Sequence, residues 1–157
     1  MPNIPPVGDL APDFTLPTDA GDALTLSSLR GRPVVLYFYP RDDTSGCTAQ
    51  ACALRDLFPR FDGAGAAVLG VSPDTVTSHA KFRAKYALPF TLLADTEHAV
   101  AEAYGVWVEK SMYGRRFMGV ERTTFVLDRT GRVARVFPRV RVPGHAEAVA
   151  AAVAELG

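Results

Sequence analysis

The chain holds two cysteines, and both lie in the stretch YFYPRDDTSGCTAQAC that runs from Tyr37 to Cys52. Two thiols with no histidine beside them fall short of the four ligands of a tetrahedral metal site. What remains open to them is the chemistry of reactive sulfur, or none at all if they serve only as small buried hydrophobes. The run VVLYFY reads as a buried strand ended by Pro40, and CTAQACALRDLFPRF has apolar residues near helical spacing, which predicts a helix from about Cys47 to Phe61. Cys47 thus falls at a helix start, where unpaired N–H groups and the positive end of the dipole favour thiolate over thiol. An ordinary thiol is ionised to only roughly 3% at pH 7. Lowering its pKa to about 6 raises that fraction about thirtyfold. Fast chemistry therefore also needs donors that hold a substrate and the charge developing on its leaving atom.

Nearby residues can supply them. Thr44, three positions before Cys47, can donate its hydroxyl to a bound oxygen while accepting a backbone N–H, and it reads equally as a plain N-cap. Gly46 permits close approach to the backbone. Pro40 can wall off one side of a pocket or simply end the strand. Cys52 poses a geometric problem, because five residues along a helix rise about 7.5 Å and rotate about 140°, placing the two Cα atoms roughly 8.7 Å apart. A disulfide spans no more than about 7 Å between Cα atoms. The two sulfurs can bond only if the first helical turns unwind.

The remaining elements must position this segment. DFTL and ALTL bracket TDAGD as a β-hairpin, and SSLRG follows as a short turn. AAVLGVS reads as a second buried strand, DTVTSHAKFRAKYA as a helix with Asp74 as N-cap, LPFTLLAD as a third strand and TEHAVAEAYG as a short helix. ERTTFVLD and RVARVFP form a hairpin around RTG, and GHAEAVAAAVAEL is a closing amphipathic helix. The order βαβαβαββα predicts one α/β domain over residues 1–157 with a central mixed sheet flanked by helices. The loop before Cys47 then opens at the carboxyl edge of the sheet, where α/β proteins place ligand sites. Phe82, Phe90, Phe117 and Phe125 read as core, Trp107 as packing in or beside the pocket wall, and His79, His98 and His145 as surface or cap residues.

Seventeen basic and seventeen acidic side chains cancel, so no net field points to nucleic acid or a membrane. Fourteen of the bases are Arg, and eight of these fall between Arg115 and Arg141 against Glu121 and Asp128. That segment reads as a solvated face or as a docking surface for a protein partner. The start MPNIPPVGDL lacks the basic and apolar regions of a signal peptide, and no apolar run is long enough to cross a bilayer. A cytoplasmic protein is expected, in which reduced thiols serve reactivity rather than stapling.

PRDDTSGC resembles the Pro-x-x-x-Thr-x-x-Cys signature of the peroxiredoxins, and TAQAC after it resembles the bacterioferritin comigratory protein (PrxQ) branch. APDFTL, VVLYFYP, ALRD, VLGVSPD, LPFTLLAD, YGVW and ERTTFVLD extend the resemblance over nearly the whole chain. It implies a thioredoxin-like fold with an N-terminal β-hairpin extension, and a thiol peroxidase that needs no cofactor or metal. Cys47 would attack hydrogen peroxide or an organic hydroperoxide, and Cys52 would resolve the product as an intramolecular disulfide. Thr44 would bond the peroxide and Pro40 would shield the pocket. Arg122, at the start of TTFVL, would stand beside the sulfur; without the resemblance it is one surface Arg among fourteen. Thioredoxin or a similar dithiol protein is the implied reductant, and members of the branch are often monomers. Ser45 departs from the Pro found in many relatives. Two other readings stand beside this one. A thioredoxin-like thiol–disulfide oxidoreductase usually has C-x-x-C and a facing Pro, whereas this chain has C-x-x-x-x-C and no Pro between Pro89 and Pro138. A redox-switched binding protein would use the disulfide to alter a partner surface near the Arg-rich segment.

Overall fold

The computed structural model describes residues 3–156. Strands β1 (Thr15–Pro17) and β2 (Ala23–Thr25) pair antiparallel as the N-terminal hairpin, and the SSLRG turn is a short 3-10 helix, Leu26–Leu29. The central sheet has the order β5-β4-β3-β8-β9. Its strands are β3 (Val34–Phe38), β4 (Ala67–Ser72), β5 (Thr91–Ala94), β8 (Thr123–Leu127) and β9 (Val133–Phe137). β3, β4 and β5 run parallel, while β8 lies antiparallel to both β3 and β9. All five residues of β3 and of β8 are buried, as two-sided strands require.

Alternation along β3 divides the core. Val35, Tyr37 and Tyr39 pack with Cys47, Ala51 and Leu54 of α1 (Ser45–Asp56), Phe82 of α3 (Val76–Lys85) and Val149 of α5 (His145–Ala154). Val34, Leu36 and Phe38 pack on the other face with Val100 and Ala101 of α4 (Ala99–Ala103) and with Leu16 and Leu24 of the first hairpin. Helices on both faces of a mixed sheet give the thioredoxin-like arrangement.

Three elements differ from the sequence reading. The helix predicted over residues 47–61 begins at Ser45 and breaks at Leu57 into α1 and α2 (Phe58–Gly63), because Pro59 has no N–H to continue the helical ladder. The N-cap of α3 is Thr75, whose hydroxyl accepts the Ser78 N–H at 3.1 Å, and not Asp74. Residues 107–120, left unassigned by the sequence, form an antiparallel hairpin of β6 (Trp107–Met112) and β7 (Arg115–Val120) outside the central sheet. Its turn, Tyr113–Gly114, has φ of 53° and 76°, the pair of positive values that a tight two-residue hairpin needs. Phe117 lies on this hairpin and is 44% exposed, not in the core, whereas Phe82, Phe90 and Phe125 are buried as predicted.

Tyr37 crosses the sheet over Gly70, its register partner on β4. A Cβ at Gly70 would lie 2.8 Å from Tyr37 Cζ and 2.9 Å from Leu92 Cδ2. Gly70→Ala should therefore force the fully buried Tyr37 and Leu92 out of place and cost about 2 kcal/mol in urea unfolding. An unchanged urea midpoint would contradict this packing.

Candidate active site

The site forms where β3 ends, α1 begins and β8 starts. Phe38 pairs with Thr123, so Arg122 stands across from Tyr39, one residue beyond the paired strands. Its backbone is fixed by the Val140 N–H, which donates to the Arg122 carbonyl at 2.9 Å. α1 starts at Ser45, which makes Cys47 its third residue and leaves the N–H groups of Ser45, Gly46 and Cys47 without intrahelical acceptors. The Cys47 thiol is 2% exposed. Arg122 Nη2 donates to Cys47 Sγ at 3.2 Å, and Nη1 donates to Gln50 Oε1 at 2.6 Å. A Cβ on Gly46 would sit 3.2 Å from Arg122 Nη2, so the bare glycine lets the guanidinium lie against the first helical turn.

Cys47, Gly46 and Arg122 thus come together as expected. Gln50 was not singled out in the sequence, although three residues along a helix is one turn and puts it on the Cys47 face. It is buried, and its Nε2 has no partner among the described residues. The Tyr37 hydroxyl is likewise buried without a partner beneath α1. Burial, and then the charge of Cys47, push its pKa well above the ordinary tyrosine value. Lys110, half-buried on β6, is pushed down by its own burial and then by the Arg122 charge, with Glu121 and Cys47 pulling it upward.

Thr44 immediately precedes α1 at the N-cap position, but no side-chain cap forms. Its exposed hydroxyl donates to the Arg41 carbonyl at 3.0 Å and leaves the oxygen lone pairs free. The expected acceptance of a backbone N–H is absent because the hydroxyl turns back into its own loop. Pro40 is half-buried just after β3. Cys52 is half-buried in the body of α1, and both thiols are free. Trp107, at the base of the β6–β7 hairpin, stacks on His98 at 4.0 Å between ring centroids.

The loop into α1 is tied down by a buried network. Asp42 accepts from the Tyr39 hydroxyl at 2.6 Å and from the Ser78 hydroxyl at 2.8 Å. His79 Nδ1 lies 2.8 Å from the same carboxylate, and its Nε2 lies 2.9 Å from the Leu93 carbonyl. Asp74, freed from capping α3, accepts the Asp42 N–H at 2.8 Å and the Ser72 hydroxyl at 2.6 Å. His79 is therefore a core residue and not a surface one. The ligand-type atoms of Asp42, Asp74 and His79 lie within 4.8 Å of one another, but their facing atoms already bond to one another and to the neighbouring hydroxyls. A closed hydrogen-bond network is the chemistry these groups support.

His145, read as a surface or cap residue, stands at the start of α5 but is buried, with its Nε2 3.0 Å from the Thr124 hydroxyl. Burial, and then the positive charge of Arg122, lower its pKa from 6.5 to about 4. The unfolded chain therefore binds a proton at His145 before the folded one does, and this term weakens the fold as pH falls from about 6.5 to about 4. His145→Gln should show a shallower loss of stability than wild type over that window in urea midpoints measured against pH. Parallel curves would show that His145 titrates alike in both states.

The AhpC/TSA family matches residues 7–136 of the chain. Peroxiredoxin Bcp of Bacillus subtilis is 46% identical over 139 residues, covering 88% of each chain. Peroxiredoxin Bcp of Escherichia coli K12 is 42% identical over 142 residues, covering 90% of this chain and 91% of the relative. A structure of the Xanthomonas campestris bacterioferritin comigratory protein, studied for alkyl peroxide reduction, superposes with a TM-score of 0.87 at 42% identity and 92% coverage of each chain. A PrxQ structure from Xylella fastidiosa gives a TM-score of 0.92 at 35% identity and 98% coverage of each. The fold is that of a thiol peroxidase. The chain belongs to the AhpC/TSA family, within its Bcp/PrxQ peroxiredoxins.

Proposed function

We propose that Cys47 is the sulfur that reduces peroxide, a reading carried by the Arg122 guanidinium at 3.2 Å from its buried Sγ. The thiolate attacks the nearer oxygen of hydrogen peroxide or an organic hydroperoxide. The S–O bond forms as the O–O bond breaks, Cys47 becomes a sulfenic acid, and the leaving oxygen departs with a proton as water or an alcohol. Arg122 stabilises the thiolate and the negative charge spreading onto the oxygens, while Gln50 holds the fork in place. The unpaired N–H groups of the first turn add further donors. Thr44 keeps its own hydrogen on the Arg41 carbonyl and accepts the peroxide O–H. Pro40 limits water on the strand side. At 2% exposure Cys47 admits a two-oxygen substrate far more readily than a protein disulfide, which favours peroxidase over thiol–disulfide exchange as the first step.

Cys52 completes the cycle. After the first turns of α1 unwind, its sulfur attacks the sulfenic sulfur, the S–S bond forms and water leaves. Thioredoxin or a similar dithiol protein then reduces the disulfide and becomes oxidised itself. The enzyme works as a monomer in the cytoplasm, where thiols are kept reduced.

Cys47→Ser should abolish peroxide consumption, and Arg122→Gln should lower the rate constant for Cys47 oxidation about a hundredfold. After one equivalent of peroxide, non-reducing intact mass should show the loss of two hydrogens in wild type and the gain of one oxygen in Cys52→Ser. Peroxide consumption by Cys47→Ser at the wild-type rate would end this reading.

A further inference from the structure

Resting on the proposal that Cys47 and Cys52 bridge after α1 unwinds, the inference concerns where that unwinding stops. Both ends of the segment containing the cysteines are fastened to the end of α3. On the N-terminal side Asp43, with a positive φ of 58°, accepts from the Tyr86 hydroxyl at 2.7 Å and from Lys85 Nζ at 2.8 Å. These two donors hold its carboxyl below the ordinary range. On the C-terminal side Arg55, in the last turn of α1, donates from Nη1 to the Tyr86 carbonyl at 2.9 Å. That carbonyl belongs to the C-cap of α3, where helical carbonyls lack intrahelical donors, so Arg55 also completes α3. Nε and Nη2 of Arg55 hold Asp56, each at 3.0 Å. One residue, Tyr86, therefore anchors α1 just before its start and near its end.

Between these anchors the two halves of α1 are held unequally. The first turn is held by the groups that react, Cys47 and Gln50 on Arg122, and oxidation of the sulfur rewrites the first of those contacts. The second half keeps Arg55 on Tyr86 and the fully buried Leu54 whatever happens to the sulfur. Cys52 lies three residues before Arg55, about one turn away. We propose that Arg55 is a positioning residue for the resolving step. Its bridge to Tyr86 stops the unwinding beyond Cys52, so the resolving sulfur stays on a fixed edge while the Cys47 side of the loop comes to it.

Without the bridge, melting runs on through Leu57 and Cys52 loses its fixed position. Rapid-quench intact mass separates the two chemical steps, the gain of one oxygen and then the loss of water to give the bridge. In Arg55→Met the first step should keep the wild-type rate and the second should slow about tenfold, the effect of losing one charge-assisted hydrogen bond. Arg55→Lys, whose ammonium can reach the same carbonyl, should recover most of the closure rate. Arg55→Gln, too short to reach that carbonyl, should slow closure to the same extent and carries the test if Arg55→Met fails to fold. Tyr86→Phe keeps the carbonyl and the Arg55 bridge and releases only Asp43, so it should close at the wild-type rate. Closure at the wild-type rate in Arg55→Met or Arg55→Gln, no recovery in Arg55→Lys, or closure slowed as much in Tyr86→Phe as in Arg55→Met overturns the inference and leaves the peroxidase reading intact. Absence of any bridge in wild type removes the resolving role of Cys52, and this inference with it.

Discussion

The contact between the Arg122 guanidinium and the Cys47 sulfur imposes the constraint that the surrounding structure meets. The two groups arrive from elements 75 residues apart in sequence, and a charged nitrogen must be delivered to a buried sulfur at 3.2 Å. The antiparallel register of β3 and β8 sets the height of Arg122, and the helix start at Ser45 sets that of Cys47. Gly46 removes the one Cβ that would stand between them. A slip of one residue in that register would turn Arg122 to the opposite face of the sheet. The buried hydrophobic strands therefore set this contact as well as carrying it.

A sulfur buried in the first turn of a helix is well placed to meet a small molecule and badly placed to meet a second thiol five residues further along the same helix. The molecule contains both sides of that conflict. Arg122 and Gln50 close the packed state, yet the buried Gln50 Nε2 in the first half of α1 has no partner among the described residues. A buried polar group without a hydrogen bond costs about 1–3 kcal/mol, so that half of α1 is held less firmly than its burial alone would suggest. Firmness is found instead around it. Asp42 is fixed by Tyr39, Ser78 and His79, and the far end of α1 by Arg55. A weakly held segment between rigid supports can change shape without taking the rest of the domain with it.

The electrostatics follow the same division. Arg122 lies among other cation-bearing groups, and its charge contributes to lowering both Lys110 and His145. Keeping His145 neutral avoids a second buried positive charge behind the guanidinium. The other seven Arg side chains between residues 115 and 141 are exposed, and two of them form ion pairs, Arg116 with Glu109 and Arg139 with Glu121, where solvent leaves little net stabilisation.

The sequence by itself determined a good deal. Continuous apolar runs located β3 and β4, alternation located β8 and β9, and an amphipathic stripe located α5, because burial on a sheet or along a stripe leaves a local mark. The spacing of Cys47 and Cys52 ruled out a bond across an intact helix, since helix geometry is the same in every protein. The motif around Cys47 resembled that of the peroxiredoxins and led to Arg122. What tertiary structure alone decided involves groups far apart in the chain. Asp74 gave up the cap of α3 for the Asp42 N–H, and His79 went from a bland helical position to the centre of a buried network. The Thr44 hydroxyl turned to Arg41, and Tyr86 joined both ends of α1. The β6–β7 hairpin escaped notice because its residues are mostly polar or exposed and carry no burial alternation. Periodicity reports which side of an element faces the core. It does not report which polar group on that side will find which partner, because that choice is made only when distant elements compete for the same donors and acceptors.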